Sequence, residues 1–411
     1  MEKHLLKEKY KTDLTENFLP FWENAIDSEY GGVFTCFTNE GDKLVSETKY
    51  IWSQGRFLWL CCNLLTLRKE GWIDLSDHWE EAATKTYHFL EKHAVMENNH
   101  VVYAVERDGT HIEDSKDISI FADCFYIIGC NAYAHLKQDI EVFEKTLVIY
   151  HTVKKRIEQN KFDSAPYPIP EGFQTHSIPM ILLNVTEELY VTAKVLNHTS
   201  KTELYEDMNK NLNKIMALQE GNRIVEYKAT NSEGAQSLIA RHVNPGHTLE
   251  SIWFMMHSLD HLHVEDRGEY TSILERLAGH AFDLGWDNEY GGLLRFVDKD
   301  GGTPKGNKID TPIENLIIET WDTKLWWPHS EALYTTLLMA IKTNKKVWQE
   351  RYKKIEEYVF QTFPNENKEI GEWIQIRDRK GKPIQKVVAL PVKDPFHIIR
   401  NYLFILKLLE E

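Results

Sequence analysis

Two hydrophobic periodicities divide the chain between them. FLWLCCNLLTLRKEG (Phe57–Gly71), IFADCFYIIGCNAYAHL (Ile120–Leu136), IPMILLNVTEELYVTAKVL (Ile178–Leu196) and TLESIWFMMHSLDHL (Thr248–Leu262) are apolar around most of a helical circumference. That pattern predicts buried helices. HWEEAATKTYHFLEKH (His78–His93), LYEDMNKNLNKIMAL (Leu204–Leu218) and KVWQERYKKIEEYVF (Lys346–Phe360) carry a polar stripe as well. They predict helices that bury one face only. Between these segments lie short runs of period two that end in Gly, Asn or Asp, which read as hairpins.

The hairpins recur. DSEYGG (Asp27–Gly32) and DNEYGG (Asp287–Gly292) open GGVFTCFTNEGD (Gly31–Asp42) and GGLLRFVDKDGG (Gly291–Gly302). NHVVYAVERDGT (Asn99–Thr110), NRIVEYKATNSEG (Asn222–Gly234) and EWIQIRDRKGKP (Glu372–Pro383) are of the same kind. A sixth hairpin is due near Gly172, where the Pro-rich loop FDSAPYPIPEGF stands instead. Six units of roughly 65 residues, each with one buried and one half-exposed helix, predict a closed ring of twelve helices. The expected fold is all-α, an (α/α)6 barrel with short β-hairpins on one rim, in a single domain over residues 1–411. An open stacked solenoid is the alternative.

Composition narrows the function. A formal charge of −15, spread along the chain, repels phosphate backbones and argues against nucleic acid. MEKHLLKEKYKTDL has no apolar leader core, and no run of about 18 apolar residues follows, so no membrane partner is expected. Five Cys without a CxxC pair suit a cytoplasmic location. Twelve Trp are many; a large core accounts for them on composition alone, and a sugar-binding cleft is the alternative.

Candidate chemistry gathers at helix starts. NPGHTLE (Asn244–Glu250) and DPFHIIR (Asp394–Arg400) each place an Asn or Asp at the N-cap, Pro at the first helical position and His at the third. WWPHSEALY (Trp326–Tyr334) carries Glu331 one turn into its helix. The positive end of a helix dipole favours a neutral imidazole, so His247 and His397 are expected as bases. Glu250, one turn after His247, is expected to hold that ring. KYIWSQGRFLW (Lys49–Trp59) sets Trp52 and Arg56 at another helix start, where Arg56 either pairs with a carboxylate or clamps substrate oxygens. Trp52, Trp253, Trp326 and Trp327 are candidates for stacking on a sugar ring. His257 and His261 show HxxxH without the glutamate of a zinc helix, and no metal site is expected.

EYGGVFTCFTNEG, KYIWSQGR, SIFADCFY, PMILLNV, NPGHTLE, KLWWPHSEALY and PFHIIR, in this order from about residue 22 to 405, resemble the N-acyl-D-glucosamine 2-epimerase family, also called renin-binding proteins. The resemblance implies an (α/α)6 barrel and a catalytic pair at His247 and His397, supported by Arg56, Glu250 and Glu331. It implies sugar contacts from Trp253, with Trp52, His176, Trp326 and Trp327 in the same group. The implied reaction interconverts N-acetylglucosamine and N-acetylmannosamine. Relatives act on mannose, glucose or cellobiose, or isomerise an aldose to a ketose. No cofactor is required, and ATP enters only as an activator known in the family. The expected partner is a small sugar, and a homodimer is the expected oligomer. The stretch Gly301–Lys324 is longer than the family usually has. Two rival readings remain: a glycoside hydrolase using Glu250 and Glu331, and a pure binding protein.

Overall fold

The computed structural model describes residues 2–264, 267–387 and 391–410. Helix α1 (Lys3–Asp13) runs through one π-type turn (Leu14–Phe18) into α2 (Leu19–Asn24). Then follow α3 (Ile51–Lys69), α4 (His78–His93), α5 (Ile120–Lys137), α6 (Ile140–Glu158), α7 (Ser177–Val195) and α8 (Lys201–Met216). A short α9 (Leu238–Arg241) precedes α10 (Pro245–His261) and α11 (Arg267–Gly285). The chain ends with α12 (Pro312–Thr320), α13 (Trp326–Thr343), α14 (Lys346–Thr362) and α15 (Phe396–Glu410).

Six of these, α3, α5, α7, α10, α13 and α15, pack side by side in that order, and α15 returns to α3. The ring is therefore closed, which rejects the open solenoid. Around it stand the α1–α2 pair, α4, α6, α8, α11 and α14, each against its own inner partner. The result is the (α/α)6 barrel. Outer helices bury one stripe: α8 sends Leu204, Met208, Leu212 and Ile215 inward. Inner helices are covered on nearly all sides. Between α3 and α5 the backbones nearly touch, because a Cβ on Gly55 would lie 2.1 Å from the Phe125 carbonyl oxygen. Each such glycine costs about 0.5–1 kcal/mol of helix propensity, offset by the close packing it permits.

The rim carries expected hairpins as short bridges, such as Phe37 with Leu44, Val105 with His111 and Arg377 with Pro383, and adds pairings between units. Its longer pairings join successive units: Lys49–Tyr50 with Ala104–Val105, His242–Val243 with Val297–Asp298, and Lys324–Leu325 with Ile376–Arg377. The unit without a hairpin still contributes Phe173–Thr175, which pairs with Tyr227–Ala229 of the next unit. Backbone groups at the start of each inner helix are thus satisfied by the neighbouring unit.

The repeated DxEYGG turn is a lock on this rim. Asp27 accepts the amides of Glu29 and Tyr30, then Lys49 Nζ at 2.9 Å and Arg107 Nε at 3.0 Å. Asp287 repeats the pattern with Glu289, Tyr290, Lys324 Nζ at 3.1 Å and Arg379 Nε at 2.9 Å. Gly32 and Gly292 sit at φ of +85° and +71°. A Cβ there would meet Gln54 Oε1 at 2.3 Å and Tyr358 Cε1 at 2.3 Å, so only glycine serves.

Candidate active site

Proline-led helix starts bring the candidate residues to one end of the barrel. Asn244 caps α10 as expected, its side chain accepting the His247 amide at 3.2 Å. Asp394 accepts the Phe396 amide at 3.3 Å at the head of α15. His397 is nearly buried. Its Nδ1 lies 2.7 Å from Glu331 Oε1, and Arg56 Nη2 reaches its Nε2 at 3.3 Å. Arg56 also donates through Nη1 to Asp394 at 3.3 Å, tying α3 to α15 where the ring closes.

Below His397 lies a buried ionic cluster. Arg400 Nη2 donates to Glu250 Oε1 and, at 2.7 Å, to Glu331 Oε1. Trp253 Nε1 donates to Glu331 Oε2 at 2.6 Å. Burial would raise the Glu331 carboxyl, but Arg400, His397 and Trp253 hold it below the ordinary carboxylate range. Asp394 is lowered in the same way: burial opposes, while Arg56 and His397 prevail. Glu250, Glu331 and His397 offer three donor atoms within 4.8 Å of one another. A cation entering there would have to compete with the guanidinium of Arg400 for both carboxylates.

His247 is the more open of the two, its side chain 32% exposed against 9% for His397. Between them stands Trp327, with its ring centroid 5.1 Å from His247 and 5.7 Å from His397. The half-buried Trp52 completes this aromatic wall by stacking on Phe125, with Arg56 over both rings. Gly246 explains how Trp327 comes so close to α10, since a Cβ there would lie 2.6 Å from Trp327 Cζ3.

Several expectations need correction. Glu250 does not hold His247; it pairs with Arg400 and lies 3.7 Å from His397 Nδ1. The partner of His247 is Glu226, whose Oε2 is 3.2 Å from Nδ1. Burial alone would lower the His247 pKa, as a helix dipole would, yet Glu226 raises it above the ordinary imidazole value. Trp253 is 1% exposed and serves Glu331, so it lies beneath the cleft and not in it. Trp326 likewise turns its Nε1 to Asp394 at 3.4 Å. His176 is fully buried, with Nδ1 toward Glu226 at 3.4 Å and Nε2 toward Ser251 Oγ at 3.0 Å. The two histidines of HxxxH have separate partners: His257 bonds Tyr334 Oη and His261 faces Glu187.

Two site residues escape the sequence reading. Arg400 closes the motif PFHIIR one turn after His397, a spacing that places both on one helical face. Glu226 stands within the apolar run IVEY, in the bend just before the strand Tyr227–Ala229, where a buried charge is itself a signal.

The model of the N-acylglucosamine 2-epimerase family matches residues 32–400. The human N-acylglucosamine 2-epimerase is 29% identical over 424 aligned residues, covering 96% of this chain and 88% of the human one. The mouse enzyme of the same name is 28% identical over 94% of this chain and 87% of its own. Among solved structures, the cellobiose 2-epimerase of Bacillus thermoamylovorans B4167 superposes with a TM-score of 0.78 at 18% identity, over 98% of this chain and 99% of that one. The last likeness speaks for the barrel alone, whereas the family match spans the ring from the first lock to Arg400. This chain belongs to the N-acylglucosamine 2-epimerase family and is a sugar epimerase, an enzyme of the isomerase class.

Proposed function

We propose that the enzyme interconverts N-acetylglucosamine and N-acetylmannosamine by moving a proton at C2 between His247 and His397. One observation carries the reading. Two imidazoles border one aromatic wall, and each is backed at Nδ1 by a carboxylate. Inverting C2 requires removal of the acidic proton beside an open-chain aldehyde and return of a proton to the other face. Backing at Nδ1 turns Nε2 of each ring to that work, with Arg56 in contact with Nε2 of His397. Arg56 would carry the developing negative charge on O1, since it already reaches His397 Nε2 and its guanidinium stays charged. Glu331, steadied by Arg400 and Trp253, holds His397 in one tautomer. The acetamido preference rests on the names of the two mammalian relatives. No step calls for a redox cofactor or a metal. Five buried, unpaired cysteines support a cytoplasmic setting.

The same pair could serve mannose, glucose or cellobiose, or return the proton to C1 and yield a ketose. Hydrolysis is less well supported. It requires two carboxylates flanking a glycosidic bond, roughly 5–9.5 Å apart, whereas Glu250 and Glu331 converge on one Arg400 nitrogen. Proton NMR in D2O with a panel of N-acetylglucosamine, N-acetylmannosamine, mannose, glucose and cellobiose tests the proposal. Deuterium should enter C2 of the acetamido sugars first. Label only at C1 of a ketose product, or a shortened disaccharide, would replace the reading.

A further inference from the structure

Behind His247 the hydrogen bonds form a closed circuit. The Glu226 carboxylate divides between two histidines, Oε2 to His247 and Oε1 to His176. The backbone ties the same residues again, the His176 amide donating to the Glu226 carbonyl at 2.9 Å. With Nδ1–H of His176 directed at the carboxylate, its Nε2 accepts the Ser251 hydroxyl at 3.0 Å. Ser251 lies on α10, one turn beyond His247. The circuit therefore leaves α10 at His247, crosses the rim strand and the head of α7, and returns to α10.

We propose that Glu226 and His176 are positioning residues for His247, orienting its ring and fixing which nitrogen carries the proton; this rests on the reading of His247 as a C2 acid–base. The charge balance supports it. Glu331, which backs His397, is paired with Arg400, whereas the ion pairs of Glu226 are with His247 and His176. A buried carboxylate is costly unless a positive charge accompanies it, so Glu226 favours a proton on His247. Burial would raise the Glu226 carboxyl, but His247 and His176 draw it below the ordinary range. The groups facing His247 from the elements around it are Glu226, His176, His242, Glu250 and Arg295. Arg295 opposes the proton on His247, and Glu226 outweighs it together with burial. His176 fits this role better than that of a sugar ligand, because both its nitrogens are engaged and its ring is closed off.

The test is a pH titration of the His247 ring by proton–nitrogen NMR in the free full-length enzyme, with the signal assigned by its loss in His247→Gln. Glu226→Gln should shift that titration to lower pH, because the compensating charge is gone while the burial remains. With an epimerised sugar, kcat should fall on the order of 10²-fold while KM stays near the wild-type value. His176→Gln and Ser251→Ala, which loosen the second claim on the carboxylate, should shift the titration to higher pH, in decreasing amount, and they report on the circuit should Glu226→Gln fail to fold. An unmoved His247 titration in the folded variants overturns the proposal. A raised KM with kcat retained in His176→Gln also overturns it, by making His176 a sugar ligand. A chain that turns over no sugar while the titration shifts as expected would keep the circuit and reject the function.

Discussion

Arg56 Nη2 lies 3.3 Å from His397 Nε2. Guanidinium nitrogens only donate, so this contact places a lone pair on Nε2 and the ring proton on Nδ1, facing Glu331. A protonated His397 and Arg56 could not keep this contact. On the proposed reading, proton arrival at His397 would loosen Arg56 and let it follow the charge growing on the sugar oxygen.

Separate faces for the two bases predict opposite behaviour of the single variants. His247→Asn and His397→Asn should each lose turnover by about 10²–10⁴-fold. One should still exchange the C2 proton of the gluco sugar with D2O, and the other that of the manno sugar. Equal exchange of both epimers by one variant, followed by proton NMR, would mean that a single base serves both faces.

Arg400 should matter to folding as much as to activity. Arg400→Met leaves Glu250 and Glu331 buried without their shared cation, which typically costs about 3–5 kcal/mol. Urea melts should show this loss, and adding Glu250→Gln should recover part of it. A variant as stable as the parent would show that the cluster is not balanced by Arg400.

The two rim locks predict an acid-sensitive contribution to stability. Burial would raise the Asp27 carboxyl, yet Arg107 and Lys49 lower it from 3.8 to about 2, and Asp287 is lowered further. A folded-state pKa below the unfolded one gives stability that is complete above about pH 4 and lost as pH falls toward 2. Asp27→Asn should therefore be less stable at pH 7 and show a shallower fall between pH 4 and 2. Parallel stability–pH curves for variant and parent would remove the lock from this account.

Gly246→Ala should act on Trp327. The added methyl meets the indole, and Trp327 has to shift away from α10 and from both histidines. A tenfold or greater loss of kcat/KM, about 1.4 kcal/mol, is expected, with a small change in melting temperature. Unchanged kinetics would mean that the indole is not part of the sugar site.

Activity should survive exhaustive EDTA treatment, since Arg400 already supplies the positive charge shared by Glu250 and Glu331. Recovery by added zinc or manganese after a loss would assign those carboxylates and His397 to a metal.

The alternation of buried and striped helices is legible in the sequence because each helix writes its own environment into its own residues. The start of α3 is legible as well, in the stretch that carries Trp52 and Arg56. It begins at Ile51, six residues before the apolar run, with Ser53, Gln54 and Arg56 in its first turns. Gln54 is polar there because it bonds the Val33 backbone in both directions across the rim. His247 and His397 could be found because Pro and a cap residue announce helix starts, and Glu331 because Pro328 stands in the first turn of its helix. Their partners could not, because pairing is decided by closure of the ring. Arg400 meets Glu250 across 150 positions and Glu226 meets His176 across 50. Glu250, the nearest carboxylate in sequence to His247, turns instead toward α15.

Closure of α15 onto α3 also sets when activity can arise. A growing chain carries Arg56, Trp52 and Glu226 long before it carries His397 and Arg400, and those last two arrive together on the helix that shuts the barrel. Until then Glu250 and Glu331 lack the Arg400 cation, and with His397 as a base the unfinished ring would be unstable as well as inert. Turnover is a report that the final helix has docked.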